Sequence, residues 1–526
     1  MEGHLVRTSK NRAGSPRRLL RAVTAAVLPA ALALPLGAPP AAAGAGTTGG
    51  APSSGSPWAG SEWMSSTATS SGYGTTLADV RTMIGASTGT AATLTGAGVG
   101  VAMIDTGVAP VPGIPAAQLV NGPDLSFESQ SPALRYLDTY GHGTHMAGII
   151  IANDTATGTK GLAPKAKLTS LKLGTATGAV DVSQVIAAVD WVVENRNHDP
   201  ANPIRVLNLA YGSGGDPSTW SDPLQYAVEQ AWEAGIVVVV AAGNNGNLSS
   251  RLANPATDKY VLSVGATATH GTLAKTDDTL SIFTNLGNSG KQVDVLAPGQ
   301  SILSLSDPGS YVDTYFPLAR SGTTLFRGSG TSQAAAVTSA SIALLLQARP
   351  SLTPDQVKDI IKRGTVVPNG LAAKLGLKQV NVASALSLSP SFNSKQNYWQ
   401  DSNGFGNLDA SRGLSRVVSN GVALSGDKTP FGPFDNVSWK YRSKFGDSWK
   451  GGVWMGYRLA GDGWTGSSFA SKTWAPAVWP GKPWGGALTW VDPSWTGRFW
   501  AGRFWAATTW TGRFWASDDW SSATWE

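Results

Sequence analysis

The 526-residue chain contains no cysteine. That absence excludes disulfide cross-links, a cysteine nucleophile and thiolate metal sites, so a folded domain here depends on a sizeable core, helped at most by bound ions. Charge is also scarce. Asp, Glu, Lys and Arg make up 14% of the residues, which is not the profile of a solvated disordered chain. Histidine is rarer still, with five in all, and two of them lie in GHGTHMAG (141–148). The net charge of +6 is unevenly placed. Arg7, Lys10, Arg12, Arg17, Arg18 and Arg21 against Glu2 account for +5 of it within the first 43 residues. The remainder is close to neutral, so charge gives no case for nucleic acid as a partner.

The basic start reads as an export leader. After Arg21 comes the apolar run AVTAAVLPAALALPLGAPPAAA, ending on small residues at Ala41 and Ala43 that fit an A-x-A cleavage rule, with Gly44 as the expected mature start. Pro29, Pro35, Pro39 and Pro40 interrupt the run and argue against a permanent membrane span. Arg17 and Arg18 hint at a twin-arginine route. Residues 44–80 are rich in Gly, Ser, Thr and Ala and read as a flexible linker.

From about residue 93 the pattern becomes that of an α/β domain. Strands are expected at 99–105, 167–173, 206–210, 236–242, 260–266 and 292–299. IVVVVAA (236–242) has the fully apolar, β-branched character of a central parallel strand. Helices are expected at 182–196 behind an Asp181 cap and at 222–235, where Asp222 caps, Pro223 opens and Gly235 stops the helix. A long small-residue helix is expected at 331–348. Strands alternating with helices predict a mostly parallel central sheet covered by helices on both faces, with its site at the carboxyl ends of the strands.

The core pattern ends near 380–386, and 391–435 reads as a second linker. The segment 436–526 holds fifteen of the 21 tryptophans. They recur every five residues from Trp490 to Trp525, and Trp439, Trp449, Trp454, Trp464, Trp474, Trp479 and Trp484 lie on an earlier grid of five. Five matches neither 3.6 nor 2, so no ordinary helix or sheet is expected there. Two readings of this tail stay open: an aromatic surface for cell wall, polysaccharide or self-association, and a low-complexity segment with no ligand.

The histidine pair alone admits three readings: a metal site, a catalytic base beside a bystander, or packing. Metal is the poorest, because H-G-T-H on a loop lacks the acidic partner of H-E-x-x-H. The neighbouring motifs add weight. MIDTG (103–107) ends a buried strand on Asp105. RGSGTSQAAA (327–336) places Ser332 at the entry of the long helix, where backbone N–H groups lack intrahelical partners. VVVVAAGNNG (237–246) delivers Asn244 to the same sheet edge. Asp, His, Ser and Asn at strand and helix ends are the set that acyl transfer needs.

In this order and with these flanks, DTG, GHGTHMAG, AAGN and GTSQA resemble the signature blocks of the subtilisin-like serine proteases, over roughly residues 80–390. The resemblance implies a subtilisin-like α/β fold and an exported, secreted endopeptidase, a monomer acting on polypeptides. It implies Ser332 as nucleophile, His142 as base, Asp105 as its orienting carboxylate, Asn244 as oxyanion donor and His145 as a structural neighbour. Leu209, Ala210, Tyr211 and Gly212, with Ala241, Ala242 and Gly243, would flank an extended substrate, and Asp138 would lie near the cleft. No cofactor is required. Structural calcium, common among such proteins, stays unassigned, because NDTATGTKG (153–161) offers only Asp154 as a carboxylate.

The resulting layout is a signal peptide (1–43), a linker (44–80), a peptidase domain (81–390), a linker (391–435) and a Trp-rich tail (436–526). Three departures stand out. Ala336 and Ala340 replace the usual Pro and Gly after the nucleophile, there is no room before about residue 90 for a folded inhibitory prosegment, and 300–327 form a longer lead-in to Ser332. The altered helix and the aromatic tail motivate an alternative, a catalytically silent fold that binds through its tail.

Overall fold

The computed structural model describes residues 74–456, apart from 130–133, 177, 216–219, 250, 414–415, 420–421, 431 and 451–452, together with 489–491. The chain divides into two units, Met1–Gly60 and Ser61–Glu526, and all described residues lie in the second. The expected leader, the first linker up to 73 and most of the tryptophan repeat lie outside the described residues.

A ten-stranded sheet forms the centre. Its strands are β1 (Gly100–Asp105), β2 (Leu119–Asn121), β3 (Lys167–Lys172), β4 (Ile204–Leu209), β5 (Val237–Ala241), β6 (Leu262–Ala268), β7 (Thr279–Leu280) and β8 (Val295–Pro298). After a separate antiparallel group of β9 (Ile302–Leu305), β10 (Arg320–Ser321) and β11 (Leu325–Gly328), the sheet resumes with β12 (Thr365–Val366) and β13 (Gln379–Val380). The order is β12-β13-β8-β6-β5-β4-β1-β3-β2, with β7 attached to β6. All pairings are parallel except β12 with β13 and β7 with β6. The order reverses around β1, and a parallel sheet opens a crevice beyond the strand ends at such a reversal.

The helices are α1 (Leu77–Met83), α2 (Gly89–Thr93), α3 (His142–Ile151), α4 (Val182–Asn195), α5 (Pro223–Glu233), α6 (Tyr311–Tyr315), α7 (Thr331–Ala348), α8 (Pro354–Arg363), α9 (Leu371–Lys374), α10 (Val382–Ser387), α11 (Leu408–Arg412) and α12 (Asn436–Phe445). Local chemistry sets their ends. Asp181 accepts from the Ser183 N–H at 3.0 Å while its own N–H donates to Gln184 Oε1 at 2.7 Å, a reciprocal cap that starts α4. Asp222 accepts from the Leu224 N–H at 2.7 Å to start α5, and Gly235, at φ +88°, follows its end. All five residues of β5 are buried. Each such valine contributes about 1.5–3 kcal/mol, so this run holds the middle of the sheet. α3 and α7 pack on each other, and α7 lies along β4, β5, β6 and β8; α4 and α5 form a second packed pair. Among the described residues no helix is long and apolar enough to cross a membrane.

Three boundaries differ from expectation. The ordered domain begins before residue 81: α1 starts at Leu77, because Thr76 and Asp79 form a reciprocal cap and Leu77 and Val80 are buried. Residues 391–435 do not behave as a linker. Their polar side chains satisfy buried partners: the Ser402 N–H donates to both Glu229 oxygens at 2.8 and 2.9 Å, and Arg412 pairs with Asp181 at 2.7 Å with neither side chain exposed. Within the tail, α12 is followed by the antiparallel pair Trp449–Lys450 and Val453–Trp454. Trp439, Trp449 and Trp454 are buried. The indoles of Trp439 and Trp454 each donate to Asp190 on α4 at 2.8 Å, and Trp449 donates to the Ala187 carbonyl at 2.8 Å. Indole satisfies a buried polar partner while burying a large apolar ring, and this overrides the period-of-five argument. Residues 489–491 also pair as a strand, with Arg416–Ser419.

Candidate active site

Asp105 is the last residue of β1, His142 the first of α3 and Ser332 the second of α7. All three are fully buried. Asp105 Oδ1 lies 2.6 Å from His142 Nδ1 and accepts from the Thr106 N–H at 2.8 Å. With the carboxylate oxygen as acceptor, Nδ1–H is the donor of this bond, and Nε2 is the ring nitrogen not engaged with Asp105.

Glycines let the backbone come this close. Gly141, which caps α3, has φ +100°, and a Cβ at Gly143 would lie 2.0 Å from the Gly107 carbonyl. Asp138 ties the loop together. It accepts from Thr106 Oγ1 and from the N–H groups of Gly141 and Thr144, each at 2.7 Å. Its burial nevertheless pushes its pKa up. Thr106 Oγ1 accepts in turn from the Gly143 N–H at 2.9 Å, so the DTG turn and the start of α3 form one unit.

His145 has a different environment. Its Nε2 reaches the carbonyls of Phe326 at 3.1 Å and Ile302 at 3.3 Å, one on each strand of the β9–β11 pair. Burial, and then the proximity of His142, lowers its pKa to about 3. It is a neutral donor that fixes this hairpin to α3. No group of three or more His, Asp or Glu residues placed to hold a metal occurs among the described residues. Asp154 is engaged locally, by the Ala156 N–H at 3.0 Å and Thr157 Oγ1 at 2.6 Å.

Asn244 sits just beyond β5. Its Oδ1 accepts from the Thr331 N–H and Thr331 Oγ1, both at 2.9 Å. The acceptor end of the amide is thus held at the start of α7. Its Nδ2, like Ser332 Oγ and Asp105 Oδ2, is buried without a hydrogen-bond partner. In native structures a buried polar atom left this way calls for a reason. The donor and the hydroxyl thus stand at the start of α7, which packs on α3, the helix that opens with His142 of the hydrogen-bonded Asp–His pair. α7 runs unbroken through Ala336 and Ala340, both fully buried. Alanine keeps the helix where the related pattern has proline.

Leu209, Ala210, Tyr211 and Gly212 continue from β4 at the same sheet edge, and Ala241, Ala242 and Gly243 continue from β5. The second set has its backbone donors engaged at two positions. The N–H of Ala242 donates to the Val264 carbonyl at 2.9 Å and that of Gly243 to Thr331 Oγ1 at 3.1 Å. Those N–H groups are already used, so 242–243 can wall a pocket but cannot pair with a substrate strand through them. Sequence reasoning missed the positioning role of Thr331; its place in GTS, beside the serine, was the available signal.

The chain matches the subtilase family (Peptidase_S8) over residues 96–406. It is 38% identical to serine protease AprX of Bacillus subtilis over 282 residues, covering 52% of this chain and 62% of that protein. It is 32% identical to subtilisin Savinase of Lederbergia lenta over 292 residues, covering 56% and 92% respectively. A solved structure described as a cold adapted subtilisin-like serine proteinase aligns at a TM-score of 0.43 with 27% identity, over 55% of this chain and 90% of that one. The chain thus spans less than two thirds of AprX but nearly all of the shorter subtilisin. With a match over more than half its length, this chain belongs to the subtilase family of serine proteases.

Proposed function

We propose that the protein is an exported serine endopeptidase that hydrolyses peptide bonds through an acyl-enzyme. The observation that carries this reading is the buried Asp105–His142 bond of 2.6 Å, on the same sheet edge as the unpartnered Ser332 Oγ and Asn244 Nδ2. Ser332 Oγ attacks the scissile carbonyl and gives its proton to His142 Nε2. Asp105 holds the tautomer and stabilises the imidazolium. The developing oxyanion takes hydrogen bonds from Asn244 Nδ2 and the Ser332 N–H. His142 then protonates the leaving amine, and a water activated by the same nitrogen releases the acid product.

Main-chain pairing along Leu209–Gly212 would select an extended polypeptide over a folded one. The basic and apolar leader supports export. Contact with cell wall or polysaccharide is assigned to tryptophans beyond Trp454, since Trp439, Trp449 and Trp454 are used in internal packing.

The test is labelling by a fluorophosphonate probe, with casein cleavage in parallel and Ser332→Ala as control. The reading requires labelling and cleavage by the parent alone. A folded parent that does neither returns the protein to the alternative of a silent fold acting through its tail.

A further inference from the structure

The expected substrate strand does not end in solvent. Beyond Gly212, Ser213 pairs with Asn254 through two backbone bonds, of 2.8 Å and 2.9 Å. Its hydroxyl donates to the backbone carbonyl of Ser411 on α11. The Ser411 hydroxyl donates to Asp222 Oδ1 at 2.5 Å, the oxygen that caps α5 through the Leu224 N–H. Asn254 Nδ2 donates to the other Asp222 oxygen at 2.6 Å, which closes the ring of contacts. The backbones meet with no room for side chains: a Cβ on Gly215 would lie 2.7 Å from the carbonyls of Ala410 and Ser411, and one on Gly413 would lie 2.2 Å from that of Gly214. Next in sequence, Arg412 anchors α11 through its buried pair with Asp181, the cap of α4. Ser213 is 1% exposed, and Ser411 and Arg412 are fully buried. All of these α11 contacts come from residues past 406, where the match to the subtilase family stops.

We infer that α11 is a brace for substrate binding, with Ser213 and Ser411 as positioning residues that fix the height and direction of the 209–212 strand. The inference rests on the reading of that strand as the substrate's partner. The brace packs against α4 and α5, whereas Ser332 is carried by α7 on β4, β5, β6 and β8, and the hydrogen bonds of Ser213 and Ser411 run to Asn254, Gly215, Leu224 and Asp222 and to each other. It therefore acts on the binding of extended chains and not on the chemistry.

The test uses the full chain. In a Ser332→Ala background, fluorescence anisotropy measures the affinity of a peptide with four residues before the scissile bond and of a single-residue amide. Ser213→Ala is expected to weaken the longer peptide about two- to tenfold, the range for one buried hydrogen bond, and to leave the amide unchanged. Ser411→Ala cuts the brace from the other side and is expected to do the same, which decides the matter should Ser213→Ala fail to fold. In the Ser332 protein, the rate of fluorophosphonate labelling should be the same with and without each substitution. Equal affinities for the longer peptide in all folded variants, or no binding of it at all, would overturn the brace. A parent that binds the longer peptide but takes no label would instead overturn the proposed catalysis and leave the brace standing.

Discussion

Two buried carboxylates, one on α4 and one at the end of β1, show how differently one chemical group can be used. Asp190 on α4 accepts from the indoles of Trp439 and Trp454 at 2.8 Å each and from Ser443 Oγ at 2.7 Å. Burial raises its pKa, and donors surround it. Asp105 at the end of β1 commits one oxygen to His142 and Thr106 and leaves the other without a partner. Where both oxygens have donors, the carboxylate joins two parts of the chain. Where neighbouring polar atoms are left open, at Asn244 and Ser332, the structure forgoes hydrogen bonds that a purely structural site would make.

If that contrast is sound, substitutions on the two sides should fail in different ways. Ser332→Ala is expected to lower kcat by roughly 10⁶-fold, the loss seen when a subtilisin nucleophile is removed. Asp105→Asn should cost about 10⁴-fold by favouring the wrong tautomer. Both proteins should keep the parent melting temperature, and a drop of many degrees would show that these groups are structural. Asn244→Ala is expected to lower kcat by about 10²–10³-fold with little change in KM, as for removal of one oxyanion donor.

On the other side, Trp454→Phe takes one donor from Asp190. A loss of about 1–3 kcal/mol in denaturant unfolding is expected, with kcat unchanged at low temperature. Altered turnover there would break the comparison.

The smallest effect concerns pH. Asp307, between β9 and α6, is pushed up to about 8 by burial and then by the charges of Asp138 and Asp313, against a weaker pull from Lys172. The folded state keeps this proton up to about pH 8, whereas the unfolded chain releases it near 4. Between those values the folded state binds more protons, so stability falls as pH rises. Asp307→Asn should flatten that fall in melting temperature between pH 5 and pH 8, and an unchanged slope would assign the loss to other groups.

Much of the domain was legible in the sequence because its signals are local. The Asp181 and Asp222 caps, the valine run of β5 and the small-residue helix α7 (331–348) each announce themselves within a few residues. The four motifs that carry the site are local too, and their order was readable. What failed was inference from composition. Thr76-Leu77-Ala78-Asp79 is a helix start embedded in a Ser/Thr-rich stretch, so the domain begins earlier than the texture suggested. Ser402, Ser411 and Arg412 look like linker residues until Glu229, Asp222 and Asp181, more than 170 positions away, are seen to receive them. The grid of five gave no sign that Trp439, Trp449 and Trp454 would gather on α4. Thr331 stands inside the GTS motif, but its partners Asn244 and Gly243, like the Thr106 partner of Asp138, are brought near only by the fold.

The contact between Ser213 and Ser411 also sets an order in time. A ribosome makes the chain from its amino end, so Asp105, His142, Asn244 and Ser332 all emerge before α11. A chain halted after residue 348 would hold every reacting group and still lack the support under its substrate strand. On the proposed reading, the reacting groups are made early and the support for the substrate strand late, and an endopeptidase built in that order would be least able to grip an extended chain during the interval.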